Sequence, residues 1–419
     1  MTPTTTTAPL PVLARMLIAG AGIMSLANSV TIPFLAVFLR TDVGLQPGLI
    51  GFIIGSTVFF SIFAGFVGGS LSDVFGRARL LLISLSGVIA SFIGLYLSDS
   101  ATTVFACNAT LALSSGVFAP VGKALLSDLL PRERRAKTFT YQYVATNIGY
   151  AIGPVAGAAV GLAGGRLAFL AGALGYGVYL VGLSVVLLRA PTAGATATDG
   201  GRRQHVSSVL RGLADSARIV TVDRRLLFLI LAGLLLEAVH GRISSLLAQH
   251  LAVGFADGVT ILGYVLATNA VTVVVLQAFV SRFMEKRDPV TSITVGGLLT
   301  VAGMAGFAVA DGMWQFVAAM VVFSLGEILI YPAEFAIIDR IAPEASRGTY
   351  FGAQTFAQIG VFIGPFTGGL LLGAYGGTTM FLGVGAFALA SVVIYLLVGR
   401  RIPGLAASAP DPHTSSSAR

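Results

Sequence analysis

The sequence predicts an all-α membrane protein of twelve transmembrane helices, arranged as two pseudo-symmetric six-helix bundles. Apolar residues make up 55% of the 419 and charged residues 11%, against roughly 25% charged in ordinary soluble domains. The mean hydropathy is +0.89. The apolar residues gather in runs of about 20, enough to cross roughly 30 Å of hydrocarbon. One motif is also written twice: Gly149, Gly153, Pro154 and Gly157 spell G-x-x-x-G-P-x-x-G, and Gly360, Gly364, Pro365 and Gly368 spell it again, each 211 residues on. Two duplicated apolar halves imply structural repeats with a substrate site between them, the plan of a secondary transporter.

The runs lie at 13–39, 47–70, 78–98, 101–130, 138–163, 166–189, 226–250, 259–281, 290–310, 313–340, 349–374 and 378–399. The first is too long and too polar (Asn28, Ser29, Thr31, Pro33) for a cleaved signal peptide and reads as a retained helix. Residues 1–12 and 400–419 form tails, 13–189 and 226–399 the two bundles, and 190–225 the linker between them. The stretch Ala190–Gly201 is Pro/Gly/Thr/Ala-rich. From Val206 to Val222 helical spacing returns, with Arg211 and Arg218 among the apolar positions. A helix lying on the membrane surface and a solvated tether both fit.

Basic residues orient the chain. With the N-terminus inside, the tails and even-to-odd loops hold 22 of the 26 Lys/Arg, while the opposite side keeps only Arg40 and Arg166. Lys123 and Arg242 fall within runs. Under the positive-inside rule both termini are cytoplasmic, and the protein is expected to be multi-pass in the cell (inner or plasma) membrane. The net charge of +8 therefore reads as topology, with no nucleic-acid partner. The single Cys107 cannot form an intrachain disulfide, and no cysteine–metal framework is expected.

Between the second and third runs stands Gly69-Ser70-Leu71-Ser72-Asp73-Val74-Phe75-Gly76-Arg77-Ala78-Arg79. Glycines permit a tight turn, and the arginines hold the loop on the basic side. This resembles the G-x-L-x-D-x-x-G-R-[KR] loop of the major facilitator superfamily, with Ala78 intervening before the second basic residue. The resemblance implies that Gly69, Asp73, Gly76, Arg77 and Arg79 form a gating loop that binds no substrate. The glycine–proline motif of the fifth run is similar to that of drug antiporters in the same superfamily. Physically it is a smooth stripe on which another helix packs backbone to backbone, with a proline that permits a bend. Close-packed membrane helices use such stripes in general; two copies with proline in register are harder to explain that way. Antiporters of this class often carry an arginine four residues before a glycine in helix 4. Here the glycine is Gly116 and the position is Ala112, with the neutral Asn108 one turn earlier.

Ionisable residues concentrate in the second half. The seventh run holds Glu237, His240 and Arg242, and the tenth holds Glu327 and Glu334. Counted from Leu226 at 1.5 Å per residue, Glu237 falls roughly 16 Å into its helix, near the bilayer midplane. Charges at that depth cost several kcal/mol unless they face a polar cavity or a partner, so they are functional candidates. A structural ion pair of Arg242 with Glu237 or Glu327 is the competing reading. Lys123 suits a lysine that snorkels to the cytoplasmic face. Asn28 in the first helix and Asn108 in the fourth complete the candidate polar set. Leu325-Gly326-Glu327-Ile328-Leu329-Ile330-Tyr331-Pro332 is similar to the helix 10 segment of multidrug proton antiporters that export lipophilic cations. That resemblance implies cation binding and proton coupling at Glu327. A second similarity is to proton-coupled peptide transporters, whose charged helix 1 cluster is missing here.

The nearest approach to a P-loop, Gly116 to Lys123, has the wrong spacing, and Ala124 replaces Ser/Thr. An ion gradient is therefore the expected motor. The expected function is proton-coupled export of amphiphilic or cationic small molecules by alternating access. The partners are protons, lipid and a lipophilic or cationic substrate, with no cofactor, no metal and no enzymatic activity; a monomer is the family's expectation. The alternative is proton-coupled uptake or exchange of a peptide, sugar or organic acid.

Overall fold

The computed structural model describes residues 10–159, 165–189, 223–284, 288–343, 350 and 353–399. Of the tails and linker expected over 1–12, 190–225 and 400–419, residues 1–9, 190–222 and 400–419 lie outside the described residues. Helix α1 runs Val12–Thr31, tightens into a 3-10 turn over Ile32–Phe34 and resumes over Leu35–Thr41. The cause is Pro33, which lacks an N–H and crowds the preceding turn; the Thr31 hydroxyl takes up the Ala27 and Asn28 carbonyls there, at 2.9 and 3.2 Å. Helix α2 comprises Pro47–Gly55 and Thr57–Phe75, followed by α3 (Arg77–Leu97), α4 (Ala101–Asp128), α5 (Arg132–Ala159) and α6 (Leu167–Arg189). Helix α7 comprises Arg224–His240 and Ile243–Gly254, broken at Gly241–Arg242. Then follow α8 (Gly258–Met284), α9 (Pro289–Val309), α10 (Met313–Ile341), α11 (a 3-10 turn Thr355–Ile359 leading into Gly360–Tyr375) and α12 (Gly377–Gly399).

Eleven of these twelve are long and apolar enough to cross a membrane. The other is α5, whose first turns carry Arg132, Glu133, Arg134, Arg135 and Lys137.

The chain forms two compact units, one of Met1–Gln46, Ser56–Ser208 and Leu247–Ala267, the other of Pro47–Gly55, Val209–Leu246 and Thr268–Arg419. In the first, the glycine stripe of α5 lies on α1. A Cβ on Gly149 would stand 2.7 Å from the Gly22 carbonyl oxygen and from the Leu26 nitrogen, and one on Gly153 would overlap the Ser29 hydroxyl. Ser25 and Ser29 donate hydrogen bonds to the Thr146 and Gly149 carbonyls, at 2.6 and 3.0 Å. Contacts this close need glycine because no rotamer moves a Cβ away from a backbone.

Gly76 turns the chain from α2 into α3 with φ of 83°, a conformation open to glycine at little cost. Arg77 pairs with Asp128 at the end of α4 and donates to the Ala124 carbonyl at 3.1 Å; Arg79 is exposed. Gly69 and the side chain of Asp73 lie outside the described atoms. At the other end of this unit Arg166 pairs with Asp99 and with Asp42, the latter at 3.7 Å, and its guanidinium lies 5.5 Å from the Phe38 ring centroid. The hydrogen bond to Asp99 raises the Arg166 pKa further, so it stays charged.

In the second unit α11 lies on α7 in the same manner. A Cβ on Gly360 would meet the Leu234 carbonyl and stand 2.7 Å from the Ala238 nitrogen; one on Gly364 would overlap the Ala238 carbonyl. Residues Pro47–Gly55 also pack on α11, with Gly51 against the Pro365 carbonyl and Phe52 edge-on to Phe362 at 6.0 Å. Helices α9 and α10 meet at Gly296 and Gly326, where a Cβ on either would stand 2.6–2.8 Å from the other's carbonyl oxygen. Asp223 caps α7 by accepting from the Arg225 and Leu226 nitrogens at 2.9 and 3.4 Å. It also accepts from the Tyr350 hydroxyl at 2.7 Å. Around that bond Leu226, Ile230, Ile338, Ala342 and Ala353 form an apolar cluster.

Candidate functional site

The ionisable side chains of α7 and α10 lie inside the second unit, and their neighbours come from α8, α9 and α12. Glu237 and His240 are three residues apart on α7 and so share a face. Glu327 and Glu334 are two turns apart on α10.

Gly326 explains where Glu327 goes. Because glycine lets α10 press against the α9 backbone, the next residue is carried about 100° around the helix, off that contact. There the half-buried Glu327 meets α8: Asn269 donates from Nδ2 to Glu327 Oε2 at 2.9 Å, and from the same nitrogen to Ser324 Oγ at 2.9 Å.

Glu237 is 8% exposed. The Tyr331 hydroxyl lies within hydrogen-bonding reach, and the charges of Glu327 and Arg242 both act on it. The break in α7 brings Gly241 under this carboxylate; a Cβ there would stand 3.3 Å from Glu237 Oε2. His240 is held at both ring nitrogens, Nδ1 by the Leu236 carbonyl and Nε2 by Thr300 Oγ1, each at 3.1 Å. Its ring lies 4.8 Å from Phe323 and 6.2 Å from Tyr331. Glu334 has a separate setting. It accepts from the Tyr395 hydroxyl of α12 at 2.8 Å, is 6% exposed, and faces Gly233 of α7, whose absent side chain leaves it room.

Each of the three carboxylates and the histidine has its own neutral partner: Asn269 for Glu327, Tyr331 for Glu237, Tyr395 for Glu334 and Thr300 for His240. Such groups can take up and release protons and attract a cation. The charge of Arg242 acts on Glu237, and Asn269 of α8 donates to Glu327. Among the described residues no three His, Cys, Asp or Glu side chains converge as a metal site.

The first unit has a more neutral interior. Asn28 lies beside the Tyr176 phenol, and Asn108 is buried at 3% exposure on α4. Lys123 is exposed. Sequence reasoning did not single out Asn269, Thr300, Ser324, Tyr331 or Tyr395. Asn269 had a signal: it is a carboxamide in an apolar helix, and such residues hydrogen-bond across helices.

Comparison with known proteins agrees with the architecture. The sequence profile of the Major Facilitator Superfamily matches residues 17–358 and 243–418. An uncharacterised MFS-type transporter of Bacillus subtilis, YqjV, is 32% identical over 354 residues, covering 84% of each chain. A Na(+), Li(+), K(+)/H(+) antiporter of Planococcus maritimus is 25% identical, covering 91% of this chain and 94% of its own. The quinolone resistance protein NorA of Staphylococcus aureus is 25% identical, covering 89% and 92%. Among solved structures, a peptide transporter POT in complex with sulfate superposes with a TM-score of 0.77 at 15% identity, over 94% of this chain and 96% of that one. On the profile match and these relatives, the chain belongs to the Major Facilitator Superfamily and is a multi-pass membrane transporter, not an enzyme.

Proposed function

We propose that this transporter is a proton-coupled antiporter that exports amphiphilic or cationic compounds by alternating access, with both termini in the cytoplasm. The observation that carries the reading is Glu327: a carboxylate inside a membrane-spanning helix, held by a neutral amide where a permanent cation would have fixed its charge. A carboxylate with a fixed cationic partner has little reason to change protonation state, whereas one held by an amide can alternate between proton and cationic cargo. Glu237 is the second coupling group, because the negative charge of Glu327 offsets the pull of Arg242 on it; His240 lies beside it, Glu334 is a third proton-holding group, and Asn28 and Asn108 are neutral cargo contacts. The export direction is supported by the similarity to a quinolone resistance protein, and proton coupling by the similarity to a cation/proton antiporter. The cytoplasmic placement of the termini rests on the lysine and arginine asymmetry.

The relative named for alkali cations suggests a second cargo. Against it, Asn269 turns N–H donors toward Glu327 where an alkali ion needs oxygen ligands. Purified protein in vesicles with an imposed proton gradient separates these readings. A fluorescent lipophilic cation should move against the proton flow, and Glu327→Gln should abolish that movement. Sodium or potassium counterflow without any organic cation flux would select the second cargo. Cargo moving in the same direction as protons would replace export by uptake.

A further inference from the structure

We propose that Asn269 and Ser324 act as positioning residues that orient the Glu327 carboxylate and set the pH at which it takes up its proton. The inference rests on the reading of Glu327 as a coupling group and adds the groups that tune it.

Ser324 Oγ donates to the Met320 carbonyl one turn back at 2.7 Å, and Ser324 is fully buried. A hydroxyl has one proton, so its remaining capacity toward Asn269 is to accept. Asn269 therefore turns its NH₂ to Ser324, and the second proton of that same nitrogen points at Glu327 Oε2, both at 2.9 Å. Ser324 and Glu327 are three residues apart on one face of α10, so one carboxamide from α8 spans both. The serine fixes which end of the amide faces the carboxylate, and the amide favours the charged form.

Other groups near Glu327 act through charge or contact. Glu237 of α7 opposes a second negative charge and is itself offset by Arg242; Tyr331 lies on the same helix as Glu327. His240 is engaged by Thr300 of α9 and by the Leu236 carbonyl, and Glu334 by Tyr395 of α12. Within this set Asn269 donates directly to Glu327 and does not itself titrate.

When Glu327 is protonated, the same pair offers a second arrangement without moving any helix. The carboxamide rotates by half a turn and its oxygen accepts from the Glu327 hydroxyl. Ser324 turns its proton from Met320 to that oxygen as well. One proton enters and the amide oxygen takes two hydrogen bonds in place of the two its nitrogen gave, while Ser324 gives up the one to Met320.

The test is infrared difference spectroscopy of the purified full-length protein across pH, reading the carbonyl stretch of the protonated Glu327, identified by its loss in Glu327→Gln. Asn269→Leu should move the midpoint of that band upward by about one pH unit, equivalent to about 1.4 kcal/mol, as expected for removing a hydrogen bond to a charged group. Asn269→Asp should move it further, since a second carboxylate opposes the charge. Ser324→Ala should give a smaller upward shift, and Ser324→Thr, which keeps the hydroxyl, should restore the wild-type midpoint. Coupled flux in vesicles should shift its pH profile in parallel, whereas a merely structural role would lower flux equally at every pH.

An unmoved or lowered midpoint in Asn269→Leu overturns the inference. Should that variant not fold, equal midpoints in Ser324→Ala and Ser324→Thr overturn it instead. If Glu327→Gln itself keeps proton-coupled flux, the failure belongs to the functional reading; a shifted band in Asn269→Leu would still stand.

Discussion

Gly149 and Gly360 do the same work in the two halves, and the residues beneath them show where the halves part. Each glycine seats its helix on a carbonyl oxygen and a backbone nitrogen of the helix below: Gly22 and Leu26 on α1, Leu234 and Ala238 on α7. These partners are displaced by 212 residues. At the same displacement Ser25 becomes Glu237, Asn28 becomes His240 and Ser29 becomes Gly241. On α1 the two serines bond the α5 backbone; on α7 the equivalent places carry a carboxylate and the glycine at the break beside it.

Other pairs repeat with altered chemistry. Arg77 at the start of α3 pairs with Asp128 at the end of α4, while Asp288 before α9 pairs with Arg340 at the end of α10 at 3.6 Å, the charges exchanged. Arg166 donates to the Tyr96 carbonyl at 3.3 Å, and Thr378 donates to the equivalent Ala308 carbonyl at 3.1 Å. Duplication preserved positions where backbone meets backbone and left the chemistry above them free to change. Under the proposed mechanism, proton handling is a property of the second half, and the first supplies shape.

Enlarging the shared glycines should have the largest effect. Gly149→Leu and Gly360→Leu should each destabilise the protein by about 3 kcal/mol, the upper range for overpacking, since the obstacle is backbone. Thermal unfolding in detergent measures it, and a tolerant glycine in one half alone would show that the two contacts are not equivalent.

Exchanging the residues beneath them comes next. Ser25→Glu buries a carboxylate with no counter-charge designed for it and should cost about 3 kcal/mol. Glu237→Ser should leave the fold intact but reduce proton-driven flux by about tenfold, equivalent to about 1.4 kcal/mol. Proton-driven flux at wild-type level in Glu237→Ser would remove the chemical difference between the halves.

A smaller effect is expected where α7 begins. Asp223 caps it, whereas the corresponding Pro11 of α1 makes no side-chain cap. Burial, reinforced by Asp223, pushes the Tyr350 phenol up to about 12. A raised phenol stabilises the folded state fully below its unfolded value near 10, and that contribution fades as pH rises through about 12. Tyr350→Phe should therefore cost about 1 kcal/mol at neutral pH, and the gap between the two proteins should close toward pH 12 in unfolding measurements.

The smallest effect concerns the exchanged ion pair. Its side chains are 30% and 55% exposed on Arg77 and Asp128, so each charge reversal should cost only about 0.5 kcal/mol. Arg77→Asp combined with Asp128→Arg, which copies the polarity of the second half, should recover it. A double variant no better than the singles would mean that the Arg77 bond to the Ala124 carbonyl matters more than the charge.

The repeats and helices were legible because hydropathy and glycine spacing are properties of one helix at a time. The break of α7 was not, since Gly241 and Arg242 interrupt an apolar run without making it polar. Nor were the partners of the carboxylates. Sequence spacing put Glu237 with His240 and Glu327 with Glu334, but the hydrogen bonds to Glu327, His240 and Glu334 come from α8, α9 and α12, and helix period says nothing about which helix stands opposite.

The seam between α9 and α10 has a mechanical consequence. Besides Gly296 and Gly326, a Cβ on Gly303 would stand 2.8 Å from the Phe323 side chain, and one on Gly306 the same distance from Ala319. A seam toothed along its length resists sliding, so we expect the two helices to travel as a single bar with Glu327 bolted to its edge. Relative motion at this site then falls to α7 and α8. Spin labels bridging α9 and α10 should report one distance throughout the transport cycle, and labels bridging α7 and α10 should report two.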